Sequence, residues 1–314
     1  MPWKNFGWMP NDTIFTLISN LKDQKSLAIK ETIEKIAPLQ TAVLLYGETG
    51  TGKDFWAKVL ASLSPFQPLL NLGCGDVPET LLESEWFGFQ KGAFTGADRD
   101  FSGKWKNAEN GTLFLNNIDL LSLNMQAKLL RVIERKKFFP LGSTQETDIA
   151  ARFIFSADSS IAEKVRCGEF RSDLYFRIAA VSIFIPPLRE RKKDITPLLQ
   201  YFCRQHHVDM QLAQETMQRL QEYPWPGNIR ELENFVFGLS VRGCPLNEKE
   251  VWSLLDQPQS ILQIIQSGER SLAEIEKEYI AYLVRKYKNK SLVARILKVS
   301  RKSLYNKLKT YEDH

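Results

Sequence analysis

The sequence predicts an α/β protein whose core is a doubly wound, mainly parallel sheet of five strands. A short apolar run at residues 43–46 leads through a glycine-rich loop into a helical pattern, the usual order of a strand, a phosphate loop and a helix. From residue 194 onwards the pattern is helical throughout, so all-α domains are expected after the sheet. The four remaining strands are predicted near residues 69–72, 112–121, 151–158 and 180–188.

The loop after the first strand has the sequence GETGTGKD. Its three glycines allow backbone N–H groups to turn inward around a phosphate, and Lys53 can reach the outer phosphates of a nucleotide. Asp54 stands where a Ser or Thr usually binds Mg²⁺, so a glycine-rich structural turn is the alternative. We predict a nucleotide site formed by Gly47, Glu48, Thr49, Gly50, Thr51, Gly52, Lys53 and Asp54.

The composition is that of an ordinary globular protein. The chain has 314 residues, of which 43% are hydrophobic and 25% charged, enough for one large core and one or two small satellite domains. Its four cysteines lack paired or metal-ligand spacing, which predicts a reducing compartment and no zinc site. No apolar run approaches the roughly 18 residues of a membrane span, so we expect a cytoplasmic protein with no membrane partner.

The positive charge is concentrated at the end of the chain. The net charge is +5, and residues 270–314 alone hold 12 lysine and arginine residues against 5 acidic ones. Residues 285–309 contain ten cations and no acid, which is typical of a protein that binds a polyanion. A solvated helical face is the alternative that charge alone leaves open.

The remaining pattern suggests the domain boundaries. Apolar residues recur at helical spacing between Thr13 and Pro38, among them Leu27, so one helix is predicted there, ended by the proline. The predicted domains are a short N-terminal extension at 1–11, an α/β core at 12–188, a helical lid at 189–243, a linker at 244–269 and a tail domain at 270–314.

Four long motifs carry a family resemblance. They are LLESEWFGFQKGAFTGA (81–97), NMQAKLLRVIE (124–134), FRSDLYFRIAAVSIFIPPLRERKKDI (170–195) and YPWPGNIRELEN (223–234). In order and spacing the chain resembles the sigma-54-dependent transcription activators, also called bacterial enhancer-binding proteins. These are AAA+ P-loop ATPases that remodel a stalled RNA polymerase holoenzyme. No receiver domain precedes the core, so the resemblance points to the subgroup that is controlled by partner proteins or by abundance.

The resemblance implies roles for particular residues. Phe94 lies between two glycines that can act as hinges, and the loop is expected to contact sigma-54. Arg171 and Arg177 match the family's arginine fingers, which reach the neighbouring subunit's γ-phosphate, and Arg230 matches a lid arginine that senses the nucleotide. The arginines could instead pair with acids on their own helices. The predicted sigma-54 contact comprises Gly92, Ala93, Phe94, Thr95, Gly96 and Ala97.

The sequence departs from the family at the positions that bind Mg²⁺ and activate the attacking water. The Walker B strand of the family ends in Asp and Glu, but here it ends in Asn116 and Asn117, which carry no charge and offer no general base. The family's Asn after the second strand is replaced by Gly73, and the sensor Asn of the next strand by Asp158. Two further departures are Gln90 and Lys106, each at a position where the family has Glu.

Two interpretations of these departures compete. Asp158 or Asp119 could bring a carboxylate into the pocket and restore hydrolysis. Alternatively, the subunit binds ATP but hydrolyses it poorly, with Mg²⁺ binding weakened, and the sequence favours this second interpretation because neither Asp is placed by homology beside the attacking water.

The tail resembles the Fis-type helix-turn-helix that ends these activators. Its second helix is expected to bury Leu304 and Leu308 and to present polar and basic side chains to DNA. A generic basic helical hairpin is the alternative. The predicted DNA-binding residues are Ser300, Arg301, Lys302, Asn306 and Lys307.

The sequence therefore predicts a DNA-bound AAA+ transcription regulator that binds ATP, contacts the sigma-54 RNA polymerase holoenzyme and assembles into a ring, expected to be a hexamer. One rival is a non-hydrolysing subunit in the ring of a related activator. The other is a DNA-binding repressor or anchoring protein with a vestigial AAA+ module.

Overall fold

The computed structural model describes residues 11–75, 78–208 and 214–242, and five single positions near the end of the chain. The chain divides into two compact units, residues 1–244 and 245–314. The five single positions, all in the second unit, are Ile280, Leu297, Ser303, Leu304 and Lys307.

The first unit contains eleven described helices and seven described strands. In chain order they are α1 Asn11–Asn20, α2 Gln24–Ile36, β1 Val43–Tyr46, α3 Lys53–Ser62, β2 Leu69–Gly73, α4 Glu79–Phe87, α5 Gly103–Asn107, β3 Thr112–Asn116, α6 Leu123–Arg135, β4 Lys137–Phe138, β5 Thr147–Asp148, β6 Arg152–Ala157, α7 Ile161–Arg166, α8 Ser172–Ile178, β7 Val181–Phe184, α9 Ile195–Gln205, α10 Gln214–Glu222 and α11 Asn228–Arg242.

Five of the strands form one parallel sheet in the order β2-β3-β6-β1-β7, which confirms the predicted fold class. The register pairs Tyr46 with Ala157 and Gly73 with Asn116, so the carboxyl ends of these strands meet at one edge. The short antiparallel hairpin of β4 and β5 was not predicted, since two residues per strand leave no readable periodicity.

The core lies on both faces of the sheet because alternate side chains of a strand point to opposite sides. On β1, Leu44 packs in a cluster with residues of α4, α5, α6 and α8, whereas Val43 and Leu45 pack with residues of α2 and α3. Helices therefore cover both faces, as the doubly wound prediction requires.

The prediction of a single helix from Thr13 to Pro38 is wrong. Two helices, α1 and α2, occupy this stretch. The break is fixed by the buried Asp194, whose Oδ1 accepts hydrogen bonds from the backbone N–H groups of Lys22 (2.8 Å) and Asp23 (2.9 Å). Leu27, expected on the apolar face, is exposed. A partner so distant in sequence leaves no signal in local periodicity.

The lid consists of α9, α10 and α11, in the segment predicted to be helical. Trp225, in the turn before α11, is fully buried and donates from Nε1 to the carbonyl of Leu220 (2.8 Å). In the second unit Ile280 and Leu304 are buried, and the burial of Leu304 was predicted. The predicted positions Ser300, Arg301, Lys302 and Asn306 lie outside the described residues.

The helices in the described part of the chain include none that combines the length and the apolar character needed to span a membrane.

Candidate functional site

The phosphate loop is held in place by hydrogen bonds that its backbone carbonyl groups accept. Lys53 donates from Nζ to the carbonyls of Gly47 (2.7 Å) and Glu48 (3.0 Å). The next three carbonyls accept from groups outside the loop. Asn228 Nδ2 donates to Thr49 (3.0 Å), the backbone N–H of Ile229 to Gly50 (2.9 Å), and the guanidinium of Arg191 to Thr51. Because the N–H of a trans peptide points away from its carbonyl, the amides of residues 48–52 point away from these partners and are available to donate to a phosphate.

Two glycines of the loop have no space for a side chain. A Cβ on Gly50 would lie 2.3 Å from the carbonyl oxygen of Gly227, and the φ of Gly50 is +79°. A Cβ on Gly47 would lie 2.4 Å from the carbonyl oxygen of Ile185. The loop is therefore in close backbone contact both with the segment after β7 and with the turn that starts α11.

Lys53 is the cation at the centre of this site. Burial lowers the pKa of its ammonium group, and the negative charges of Asp158 and Asp119 oppose that effect. The side chain of Asp54, next along the chain, is exposed at the start of α3. A buried lysine next to a ring of N–H groups provides the electrostatic complement of a polyphosphate.

The two asparagines at the end of β3 differ in their surroundings. Asn116 accepts at Oδ1 a hydrogen bond from the hydroxyl of Ser156 on the neighbouring strand β6. Asn117 is exposed and adopts a left-handed conformation with φ of 59°, and its backbone N–H donates to the same hydroxyl (3.0 Å). Neither amide side chain can act as a general base.

Asp119 and Asp158, the carboxylates that could replace the missing acids, are both engaged elsewhere. Asp119 is buried and its Oδ2 lies 2.9 Å from Nζ of Lys164, while its Oδ1 accepts from the backbone N–H of Asp158 (3.2 Å). Asp158 accepts at Oδ1 from the backbone N–H and the hydroxyl of Ser160 and from the hydroxyl of Ser159. Burial raises the pKa of Asp158, but these hydrogen bonds and the charge of Lys53 outweigh it and lower the pKa overall.

The residues at the strand ends do not fit an Mg²⁺ site. Mg²⁺ requires oxygen ligands in near-octahedral order, usually with one or two carboxylates. The oxygen of Asn116 accepts from Ser156, Asp119 forms an ion pair with Lys164, and Asp158 caps the turn before α7. Among the described residues, no group of three or more His, Cys, Asp or Glu side chains is arranged to bind a metal. The structure gives no support to restoration of hydrolysis by Asp119 or Asp158.

The GAFTGA segment, residues 92–97, forms a tight loop that exposes its aromatic tip. Gly92 and Gly96 have φ of +84° and +95°, and open space surrounds the position of a Cβ at each. Phe94 is 46% exposed and packs edge-on against Phe89, with ring centroids 4.9 Å apart. Ala97 is buried at the base of the loop. The loop can therefore pivot at two glycines while Phe94 remains accessible to a partner.

The three predicted arginines lie in different surroundings. Arg171 forms two hydrogen bonds to Asp173, with Nη2 2.7 Å from Oδ2. For this residue the structure therefore has the pairing with an acid on its own helix that the sequence offered as the alternative. The side chain of Arg177 is exposed and forms no hydrogen bond or ion pair with the described residues. Arg230 is exposed at the start of α11, and its Cβ lies 3.3 Å from the position of a Cβ on Gly50. Of the three, only Arg230 is beside the phosphate loop of its own chain.

Sequence reasoning missed three residues that contact the phosphate loop. Arg189 binds the carboxylate of Glu48 with both terminal nitrogens, one of them at 2.9 Å. Arg191 and Asn228 bind loop carbonyls, as described above. All three lie inside motifs of the family resemblance, so the signal was present, but their contacts span about half of the chain.

The parallel sheet, the phosphate loop and the helical lid define an AAA+ P-loop NTPase. Residues 20–184 match the family described as Sigma-54 interaction domain, residues 189–274 the AAA+ ATPase lid domain, and residues 271–311 the bacterial regulatory protein, Fis family. The chain belongs to the sigma-54-dependent transcriptional regulators, which confirms the resemblance drawn from its motifs.

Similar proteins include regulators from several bacteria. The chain is 40% identical over 292 residues to the transcriptional regulatory protein ZraR of Klebsiella oxytoca. The aligned region covers 90% of this chain and 66% of that protein. The chain is 42% identical over 216 residues to the Nif-specific regulatory protein of Azospirillum brasilense, covering 67% of this chain and 35% of that protein. NtrX from Brucella abortus in complex with ATP aligns with a TM-score of 0.68 and 26% identity, over 96% of this chain and 72% of that chain. The chain thus spans less than two thirds of the length of either regulator, ZraR only narrowly so.

Proposed function

We propose that this protein is a cytoplasmic, ring-forming regulator that binds ATP and upstream promoter DNA and contacts the sigma-54 RNA polymerase holoenzyme through residues 92–97. The observation that carries the proposal is the combination, in one compact unit, of an exposed Phe94 on a glycine-hinged loop and a phosphate loop whose carbonyls are all held by hydrogen bonds. NtrX, a solved structure of similar fold, was obtained with ATP and with ADP, which supports nucleotide binding here.

We further propose that hydrolysis is weak. Binding depends on backbone amides and Lys53, which are retained, whereas hydrolysis depends on groups that act on metal and water. Those groups are Asn116 and Asn117 here, and the neighbouring Asp119 and Asp158 are held by other partners. Losing a general base typically lowers a rate by about 10²- to 10⁴-fold.

The first prediction concerns nucleotide. Titration with a fluorescent ATP analogue should saturate, and Lys53→Ala should abolish binding because it removes the buried ammonium group.

ATPase turnover of the wild type should be low, and Asn116→Asp combined with Asn117→Glu should raise it. Ordinary turnover by the wild type would contradict weak hydrolysis, and failure to saturate near millimolar nucleotide would contradict the binding site.

The second prediction concerns sigma-54. Phe94→Ala should abolish co-purification of the protein with sigma-54 in the presence of a non-hydrolysable ATP analogue, because it removes the exposed aromatic tip. Phe15→Ala on α1 is the matched control, since Phe15 is 42% exposed but lies outside the loop. Equal losses for the two variants would show that Phe94 has no special role.

The third prediction concerns DNA. The full chain should bind promoter DNA with a steep salt dependence, and a chain ending at Gly268 should not, because the ten cations of residues 285–309 are then absent. Asn306→Ala and Arg301→Ala should alter sequence preference, whereas Lys309→Ala should weaken binding to all sequences alike. Undiminished binding by the shortened chain would refute the assignment.

The fourth prediction concerns the ring. Each site of an AAA+ ring is shared, so a subunit with Asn116 and Asn117 can still complete the site of its neighbour with Arg171 and Arg177. When the protein is mixed with an intact activator from the same cell, Arg177→Ala and Arg171→Ala should each lower ATPase activity and open-complex formation relative to wild type. Arginine variants that behave like wild type in the mixture would rule out a mixed ring.

A further inference from the structure

Asn228 connects the lid, the segment between β7 and α9 (residues 185–194, called the hinge below) and the phosphate loop. Its side chain is fully buried and uses every hydrogen-bonding group that an amide has. Nδ2 donates to Oε2 of Glu48 (3.2 Å) and to the carbonyl of Thr49 (3.0 Å), and Oδ1 accepts from the backbone N–H of Leu188 (2.7 Å). No other residue type offers two donors and one acceptor in this small volume, apart from the longer glutamine.

The backbone of Asn228 fits this role as well. Its φ is +55°, in the left-handed region that asparagine tolerates better than most residues. The next residue, Ile229, donates its backbone N–H to the carbonyl of Gly50. The start of α11 is therefore joined to the loop through both backbone and side chain.

A second connection reaches the loop from the hinge between β7 and α9. Arg189 binds the carboxylate of Glu48 at both oxygens, and Arg191, fully buried, donates to the carbonyl of Thr51. The hydrogen bond from Arg189 lowers the pKa of Glu48 against the opposing effect of burial, and Asn228 adds to the lowering. Glu48 is therefore charged at neutral pH and attracts Arg189.

These contacts hold a different part of the phosphate loop from the part that Lys53 holds. The carbonyls of Gly47 and Glu48 are held by Lys53, and that of Glu48 also accepts from the hydroxyl of Thr51 (2.8 Å). The carbonyls of residues 49–51 are held by Asn228, Ile229 and Arg191. The contacts from the lid and from the segment between β7 and α9 therefore fix the amides of residues 50–52, which follow carbonyls that Lys53 does not reach.

We infer that Asn228 and the Glu48–Arg189 pair are positioning residues, which hold the phosphate loop in its binding shape and make nucleotide affinity depend on the lid. This inference rests on the proposed nucleotide function. Neither Asn228 nor Arg189 is placed to be a catalytic residue, since each acts on the loop and not on the reacting atoms.

The main test is the variant Asn228→Gly in the full chain, because glycine adopts a φ of +55° without strain while losing all three side-chain hydrogen bonds. The dissociation constants of fluorescent ADP and ATP analogues should both rise by at least about tenfold, which is the effect of losing only one of the three buried hydrogen bonds. The rise should be equal for the two nucleotides, because the loop amides contact phosphates that both contain. Arg230→Ala removes a cation beside Gly50 and should weaken ATP more than ADP, because ATP carries the additional negatively charged phosphate.

A matched pair of variants tests the hinge. Arg189→Gln removes the ion pair with Glu48, and Glu190→Gln removes a somewhat more exposed ion pair with Lys25 on α2, 2.6 Å long. Only Arg189→Gln should weaken nucleotide binding. Glu48→Gln combined with Arg189→Gln should be no weaker than the single variants, because the two residues act through one contact.

The results of these experiments distinguish a failure of the positioning role from a failure of the proposed nucleotide binding. A wild-type protein that never saturates with nucleotide defeats the function itself. A wild type that saturates while Asn228→Gly and Arg189→Gln bind equally well defeats only the positioning role, as does a loss shared by Glu190→Gln. Urea unfolding without nucleotide reports whether each variant is folded, and should Asn228→Gly fail to fold, Arg189→Gln at the surface decides the question.

Discussion

The structure depends on the hydrogen bonds that hold the carbonyls of the phosphate loop. A loop of successive N–H groups binds an anion only if all of them point to one side, and in a planar peptide that requires the carbonyls to be held on the other. Here the holding groups come from α3, from the hinge after β7 and from the start of α11. The proposed nucleotide site therefore depends on the folded sheet and lid together, although the loop itself is a short local motif.

The charges around this loop separate binding from hydrolysis. The groups that attract phosphate are present, since Lys53 is buried at the centre and Arg230 stands beside Gly50. The groups that would act on metal and water are absent or engaged, as with Asn116 and Asp119. Loss of a general base leaves the phosphate contacts intact, so a chain can lose one activity and retain the other.

Much of the fold could be predicted because its signals are local. Apolar runs of strand length alternating with helical periodicity identified the five parallel strands, and the glycine spacing identified the phosphate loop. The errors arose where a distant partner decides the local structure. Asp194 splits the predicted helix at Lys22 and Asp23, and Asn228 reaches Glu48 from about 180 residues away. Such contacts between distant residues cannot be predicted from the local patterns of a single sequence.

Burial distinguishes the ion pairs that maintain the fold from those that can exchange partners. The Lys164–Asp119 pair is largely buried, so separating it would leave a charge without water or counter-ion. The Arg171–Asp173 pair is nearly half exposed on both sides, and water can replace either partner at little cost. Arg177 has no such pair to break among the described residues. Both arginine side chains can therefore take up the role proposed for them in a ring at little cost, whereas Asp119 is held by its buried ion pair with Lys164.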